Sequence, residues 1–132
     1  MQVPDDLRYT KDHEWVRREG DEFAAGITDY AQQQLSDIVY VELPATGTML
    51  TQGEPFGSVE AVKAVADLFA PLSGEVTGVN QALSGDPAAI NRAPYAEGWM
   101  IRGRASDWSE LERLLTPAKY RALLAGLGGG AK

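Results

Sequence analysis

Cysteine is absent from the 132-residue chain. Disulfide staples, thiolate zinc, iron–sulfur clusters and a thiol nucleophile are therefore excluded. A single histidine leaves a multi-histidine metal site or a proton relay without a second member. Basic side chains number 12 against 19 acidic ones, a net charge of −7. That is the wrong sign for a phosphate backbone, so nucleic acid is not an expected partner. Long apolar runs are missing too. Uncharged stretches such as Val76 to Gly85 are short and interrupted by glycine, so no segment is expected to span a membrane. Met1 to Asp6 lack both the basic-then-apolar start of a secretory signal and an Arg- and Ser-rich transit composition. The expectation is a cytoplasmic protein of bacterial type. The length suits one domain over residues 1–132, and it suffices for a core without staples. Such a chain, poor in catalytic groups, is better suited to carrying or binding than to catalysis.

What is present falls into two regimes. From His13 to Arg104 short apolar runs alternate with Gly, Pro and Asn, the pattern of a compact β domain. Glu19-Gly20-Asp21 reads as a hairpin turn between His13–Arg17 and Glu22–Ile27. Thr28 or Asp29 can cap a short helix that ends near Leu35, with Gln32 completing a capping box. Ile38 to Leu43 is rich in β-branched and aromatic residues, the best strand pattern in the chain. Pro55–Val62 and Val65–Ala70 read as two strands around Lys63. Glu75–Val79 and Trp99–Arg104 follow as strands, and Leu83–Tyr95 between them reads as mostly irregular. Gly26, Gly47, Gly53 and Gly74 read as backbone requirements at bends. A faint echo, Gly47 with Gly53-Glu54 and Gly78 with Gly85-Asp86, fits a quasi-symmetric sandwich. After Ser106 helical periodicity takes over. Asp107 to Glu110 resembles a capping box, with Trp108, Leu111, Leu114 and Leu115 on one stripe. Thr116-Pro117 opens a last helix with Tyr120, Leu123, Leu124 and Leu127 inward. The expected layout is a β core over 22–104, a helical lid over 106–126 and a flexible tail over 127–132.

Lys63 sits midway between two apolar strands. One long strand through it would waste its alternation, so the lysine belongs at a hairpin tip. There its ammonium is exposed, among compact neighbours Ala61, Val62, Ala64 and Val65. It is also isolated: the chain has 4 lysines, and none but Lys63 lies between Lys11 and Lys119. A modifying enzyme that must choose one lysine benefits from that isolation. An Arg-biased chain with an ordinary solvated turn lysine would look the same, and the residues alone leave both readings open.

A resemblance separates them. His13-Glu-Trp15, Gly26-Ile-Thr-Asp-Tyr-Ala-Gln32, Asp37-Ile-Val-Tyr-Val-Glu-Leu-Pro44, Glu60-Ala-Val-Lys-Ala64, Ala70-Pro-Leu-Ser-Gly-Glu75, Val79-Asn80, Pro94-Tyr95 and Gly98-Trp99 follow one another in family order. Over Val3 to about Leu124 the chain resembles the H-protein family of the glycine cleavage system, carriers of lipoyl-lysine. The implied fold is mainly β, of the α+β kind: a lipoyl-domain-like barrel-sandwich hybrid of two antiparallel sheets, with a short internal helix and C-terminal helices. Ala61 departs from the serine common in the family's lysine motif. The departure bears on recognition by the lipoylating enzyme, since the nucleophile is the lysine amine.

The resemblance implies lipoate attached to Lys63 through an amide, on a monomeric, non-catalytic carrier. Its implied partners are a pyridoxal-phosphate glycine decarboxylase, a tetrahydrofolate-dependent aminomethyltransferase and dihydrolipoyl dehydrogenase. A lipoate ligase or octanoyltransferase would load it. An aminomethyl group on sulfur is labile to water, so a carrier needs an apolar cleft with a carboxylate for the amine. Asp12, Glu14, Glu60 and Asp67 are near the motifs, and the resemblance favours Glu14 and Asp67. His13 beside Trp15 reads as structural rather than as a general base. Trp15, Trp99 and Trp108 read as packing residues, and no metal site is expected. The acidic surface reads equally as solubility or as steering toward basic partners. A biotin carrier would have methionines where Val62 and Ala64 flank the lysine. A lipoate relay to 2-oxo acid dehydrogenases cannot be separated from cleavage duty by residues.

Overall fold

The computed structural model describes residues 1–127. Its nine strands among the described residues form two antiparallel sheets. The larger has the order β1-β2-β3-β9-β8-β5 and the smaller β4-β6-β7. The first comprises β1 (Arg8–Tyr9), β2 (Glu14–Glu19), β3 (Glu22–Ile27), β5 (Met49–Leu50), β8 (Gly74–Val79) and β9 (Ile101–Ala105). The second comprises β4 (Ile38–Glu42), β6 (Pro55–Ala61) and β7 (Val65–Phe69). This is the two-sheet arrangement that the resemblance implies.

Strand alternation sets the layers. On β3, Phe23, Ala25 and Ile27 face the smaller sheet and join Val16, Val59, Leu68, Val76 and Ile101 in the core between the sheets. Ala24, on the other face, joins Trp15, Leu7, Tyr9, Tyr120 and Leu124 in a second cluster. The larger sheet is thus buried on both faces. Tyr9 and Tyr120 stack with centroids 4.4 Å apart. The Trp15 indole donates to the Pro94 carbonyl at 3.0 Å. Arginine guanidinium groups lie over the other two indoles, Arg18 on Trp108 and Arg102 on Trp99.

The helix α1 (Asp29–Leu35) is capped by Thr28, whose hydroxyl accepts from the Ala31 amide. The Thr28 hydroxyl also pairs with Tyr120 at 2.7 Å. The last helix, α4 (Pro117–Gly126), starts at the expected Thr116 cap. The segment read as irregular contains two one-turn helices, α2 (Ala82–Gly85) and α3 (Ala89–Arg92). Each is too short to show periodicity, and they are anchored by buried side chains, Leu83 in α2 and Ala89 and Ile90 in α3. Trp108–Arg113 is a 3-10 helix rather than an α-helix. Asp107 caps it, but Glu110 does not close a capping box. Its carboxylate instead accepts from the Ser73 amide and hydroxyl at 2.7 and 2.8 Å. Two-residue β1 carries no sequence pattern and forms by pairing with Val16 and Trp15. From residue 128 the expected tail lies outside the described residues.

Gly26 is not at a bend. It lies within β3, where a Cβ would come within 3.0 Å of the Trp15 indole. Gly57 is tighter still, since a Cβ there would fall 2.3 Å from the Glu42 carbonyl oxygen across the β4–β6 ladder. Gly57→Ala is therefore expected to cost about 2 kcal/mol or more, lowering Tm by roughly 5–10 °C. Thermal unfolding followed by circular dichroism measures this, and an unchanged Tm would contradict the close approach.

Candidate functional site

Lys63 sits at the tip of the β6–β7 hairpin. The turn closes through a 2.7 Å bond from the Ala61 amide to the Ala64 carbonyl. Among the described residues, positive φ outside glycine occurs at His13 and Ser36 only, so the β-branched Val62 at the tip is not forced into a left-handed turn. The Val62 amide donates to the Asp37 carbonyl at 3.0 Å. This ties the tip to the residue before β4. The Lys63 side chain is exposed and takes part in none of the ion pairs among the described residues. Apolar side chains rarely left in water surround it: Val62 is 75% exposed, Val65 68%, Tyr40 54% and Val39 49%. Glu60 lies between Tyr40 and Val65 in the sheet register, and Ser58 lies between Glu42 and Asp67. The outward face of the small sheet therefore combines apolar and acidic groups around one lysine.

Glu14 is placed very differently. Its strand neighbour Trp15 points into the second cluster, so alternation sends Glu14 toward the smaller sheet. His13 precedes it with φ 72, an unusual conformation that starts β2 abruptly. The Glu14 residue is 2% exposed. One carboxylate oxygen accepts from the Thr10 hydroxyl and the other from the Phe69 amide. Phe69 is the last residue of β7, and the carboxylate supplies the acceptor for its amide there. Glu14 opens on a cleft of about 310 Å³, walled by Tyr9, Thr10, Gln52, Phe69, Arg113 and Leu115 among others.

Asp67 is exposed and does not line that cleft. It lies on the same outward face of β7 as Phe69, two residues nearer Lys63. Val65, Asp67 and Phe69 thus follow one another along one face of β7 from the lysine tip toward the cleft. The five residues of β7 cover about 16 Å. Asp12 lines the cleft and Glu60 does not. The His13 ring bonds the Tyr120 hydroxyl through Nδ1 at 2.9 Å and packs against Tyr30. Burial lowers its pKa, with Asp12 opposing. It faces α4, away from the cleft carboxylate. Among the described residues no group of three or more His, Asp or Glu gathers as a metal site. No described helix is long and apolar enough to cross a membrane.

Burial pushes the Glu14 carboxyl up to about 7, against the opposing pull of the Thr10 and Phe69 bonds. Its ordinary value is 4.5, so the folded state holds the proton more tightly than the unfolded state. Stability is then greatest below the ordinary value and falls as pH rises through the window toward 7. Glu14→Gln removes this dependence. The variant is expected to gain roughly 2 kcal/mol relative to wild type between about pH 5 and about pH 8. Urea unfolding at the two pH values reads the difference, and parallel pH profiles for both chains would remove the buried charge as its cause.

Comparison with known proteins extends this geometry. The family described as Glycine cleavage H-protein matches residues 7–126. The Glycine cleavage system H protein of Anaeromyxobacter sp. strain K is 55% identical over 124 residues, covering 94% of this chain and 97% of the relative. That of Geobacillus kaustophilus is 53% identical, covering 94% and 98%. A crystal structure of a glycine cleavage system H protein from Mycobacterium marinum superposes with a TM-score of 0.84 at 39% identity, covering 96% of this chain and 99% of that one. Similarity of this extent, spanning both sheets and the hairpin lysine, means that the chain belongs to the glycine cleavage H-protein family.

Proposed function

We propose that the chain is a non-catalytic lipoyl carrier of the glycine cleavage system, with Lys63 as the attachment point. The observation that carries this reading is an exposed lysine set at the tip of the β6–β7 hairpin in a chain of this family. Lipoate, when bound, supplies a neutral flexible arm and the sulfur redox chemistry that a cysteine-free chain lacks. The chain's own residues have three tasks. Lys63 gives up its charge to an amide and anchors the arm. Val65 and Asp67 border the path along β7. Glu14, with the apolar walls of Tyr9, Phe69 and Leu115, receives an ammonium and limits water around it. A carboxyl that burial holds in its neutral form becomes a better acceptor as an approaching cation favours its ionised form.

The cargo in this reading is the aminomethyl group of glycine. A pyridoxal-phosphate glycine decarboxylase delivers it, a tetrahydrofolate-dependent aminomethyltransferase removes it, and dihydrolipoyl dehydrogenase restores the disulfide. A lipoate ligase or octanoyltransferase loads Lys63. A monomer suffices, since the tip and the cleft belong to one chain.

Three experiments test this. In cells supplied with lipoate, intact and peptide mass spectrometry are expected to find one lipoyl amide confined to Lys63 and none in Lys63→Arg. A biotinyl adduct or an unmodified Lys63 would overturn the reading. Glycine-dependent CO2 exchange with the decarboxylase then separates cleavage duty from lipoate relay. On the loaded protein, Glu14→Ala is expected to speed hydrolysis of the aminomethyl group about tenfold, the loss of one charge-assisted bond. An unchanged rate removes Glu14 from this role.

A further inference from the structure

We propose that Asn91 is a positioning residue for the modification of Lys63. It holds the bend that fixes how the lysine tip is presented to the lipoylating enzyme. The proposal rests on Lys63 being the attachment site.

Two of three hydrogen bonds from one side chain reach that bend, and the third ties it to α1. The Asn91 Oδ1 accepts from the Ile38 amide at 3.0 Å. Its Nδ2 donates to the Ser36 carbonyl at 2.8 Å and to the Gln32 Oε1 at 3.0 Å. Both donors and one acceptor site of the amide are therefore used. The bend needs such support. Ser36 takes φ 66 and ψ −148, a conformation that residues with a Cβ rarely adopt unless the surroundings impose it. Ile38 is buried in the core, so one end of the bend is anchored by packing. Asn91 itself sits on α3, whose Ile90 is fully buried.

The residue inside the bend is Asp37, and its carbonyl accepts from the Val62 amide at 3.0 Å. Val62 immediately precedes Lys63, and its side chain is 75% exposed. Packing does little to hold the tip at this residue, and the backbone bond does most of it. Ile38 is also the register partner of Ala61 on the other side of the turn. A continuous path thus runs from the Asn91 amide through Ser36–Ile38 and Asp37 to Val62, one residue from the lysine. A carrier whose binding-competent tip is only partly populated is bound with its affinity lowered by that fraction. A tip that wanders is therefore a poorer substrate even when the fold is intact.

The test uses the full-length unmodified chain, a lipoate–protein ligase, ATP and lipoate, with intact mass read against time. Asn91→Ala is expected to lower kcat/KM for the carrier about tenfold, mostly through KM, and to speed amide exchange at Val62. Asn91→Asp, which keeps the acceptor for Ile38 and loses both donated bonds, is expected to fall between wild type and Asn91→Ala. Leu124→Ala loosens the remote α4 packing and serves as the control. It is expected to lower Tm without moving KM or Val62 exchange. Wild-type kinetics in Asn91→Ala, unchanged Val62 exchange, or an equal KM change in Leu124→Ala would each overturn the proposal. Should Asn91→Ala fail to fold, the same measurements on Asn91→Asp decide. A wild-type chain that stays unmodified sinks the attachment reading. A modified wild type beside an unaffected Asn91 variant sinks only the positioning role.

Discussion

The two-residue period of β2, in a sheet buried on both faces, is the constraint on which the site depends. Trp15 fills the cluster under α4, and Val16 fills the core between the sheets. A slip of one residue would exchange them and push the indole toward the smaller sheet, so the register is strongly specified. Glu14 has no freedom in the matter. It shares the face of Val16 and arrives 2% exposed beside the end of β7. Bonds from Thr10 and Phe69 offset part of its desolvation, and the rest appears as its raised pKa. A buried, half-satisfied carboxylate at the mouth of a cleft is thus a consequence of packing, and it is chemically poised for a cation.

The smaller sheet plays the complementary part. One face closes the core through Ile38, Val59 and Leu68. The other carries Tyr40, Val65, Glu42, Glu60 and Asp67 around the lysine tip. Little holds this tip except backbone bonds. Glu42, Glu60 and Asp67 on this face, in a chain of net charge −7, can steer basic partners as well as maintain solubility.

Much of this was legible in the residues. The hairpin at Gly20, the Thr28 cap, the Thr116-Pro117 start of α4 and the paired strands around Lys63 each rest on local chemistry, and each stands in the structure. The misses share a cause. β1 exists because Val16 and Trp15 pair with it. α2 and α3 exist because Leu83 and Ile90 are buried. Glu110 left its expected capping role because Ser73, far along the chain, offered two donors. Gly26 looked like a bend residue and is instead the floor under an indole. Asn91 carried no local signal, since its partners lie more than fifty residues away. Of the two carboxylates favoured at the outset, Glu14 reaches the cleft and Asp67 stays on the strand that leads to it.

The sequence by itself determined most of the strand and turn pattern, the isolation of Lys63 and the absence of a cysteine thiol. These follow from composition and from interactions within a few residues. Only the tertiary structure decided that Glu14 is buried and Asp67 exposed, that β7 runs from the lysine to the cleft, and that Asn91 braces the tip. Burial and hydrogen-bond partnership across distant segments are properties of packing, and a carboxylate or an amide reads the same in a sequence whether it is solvated or enclosed.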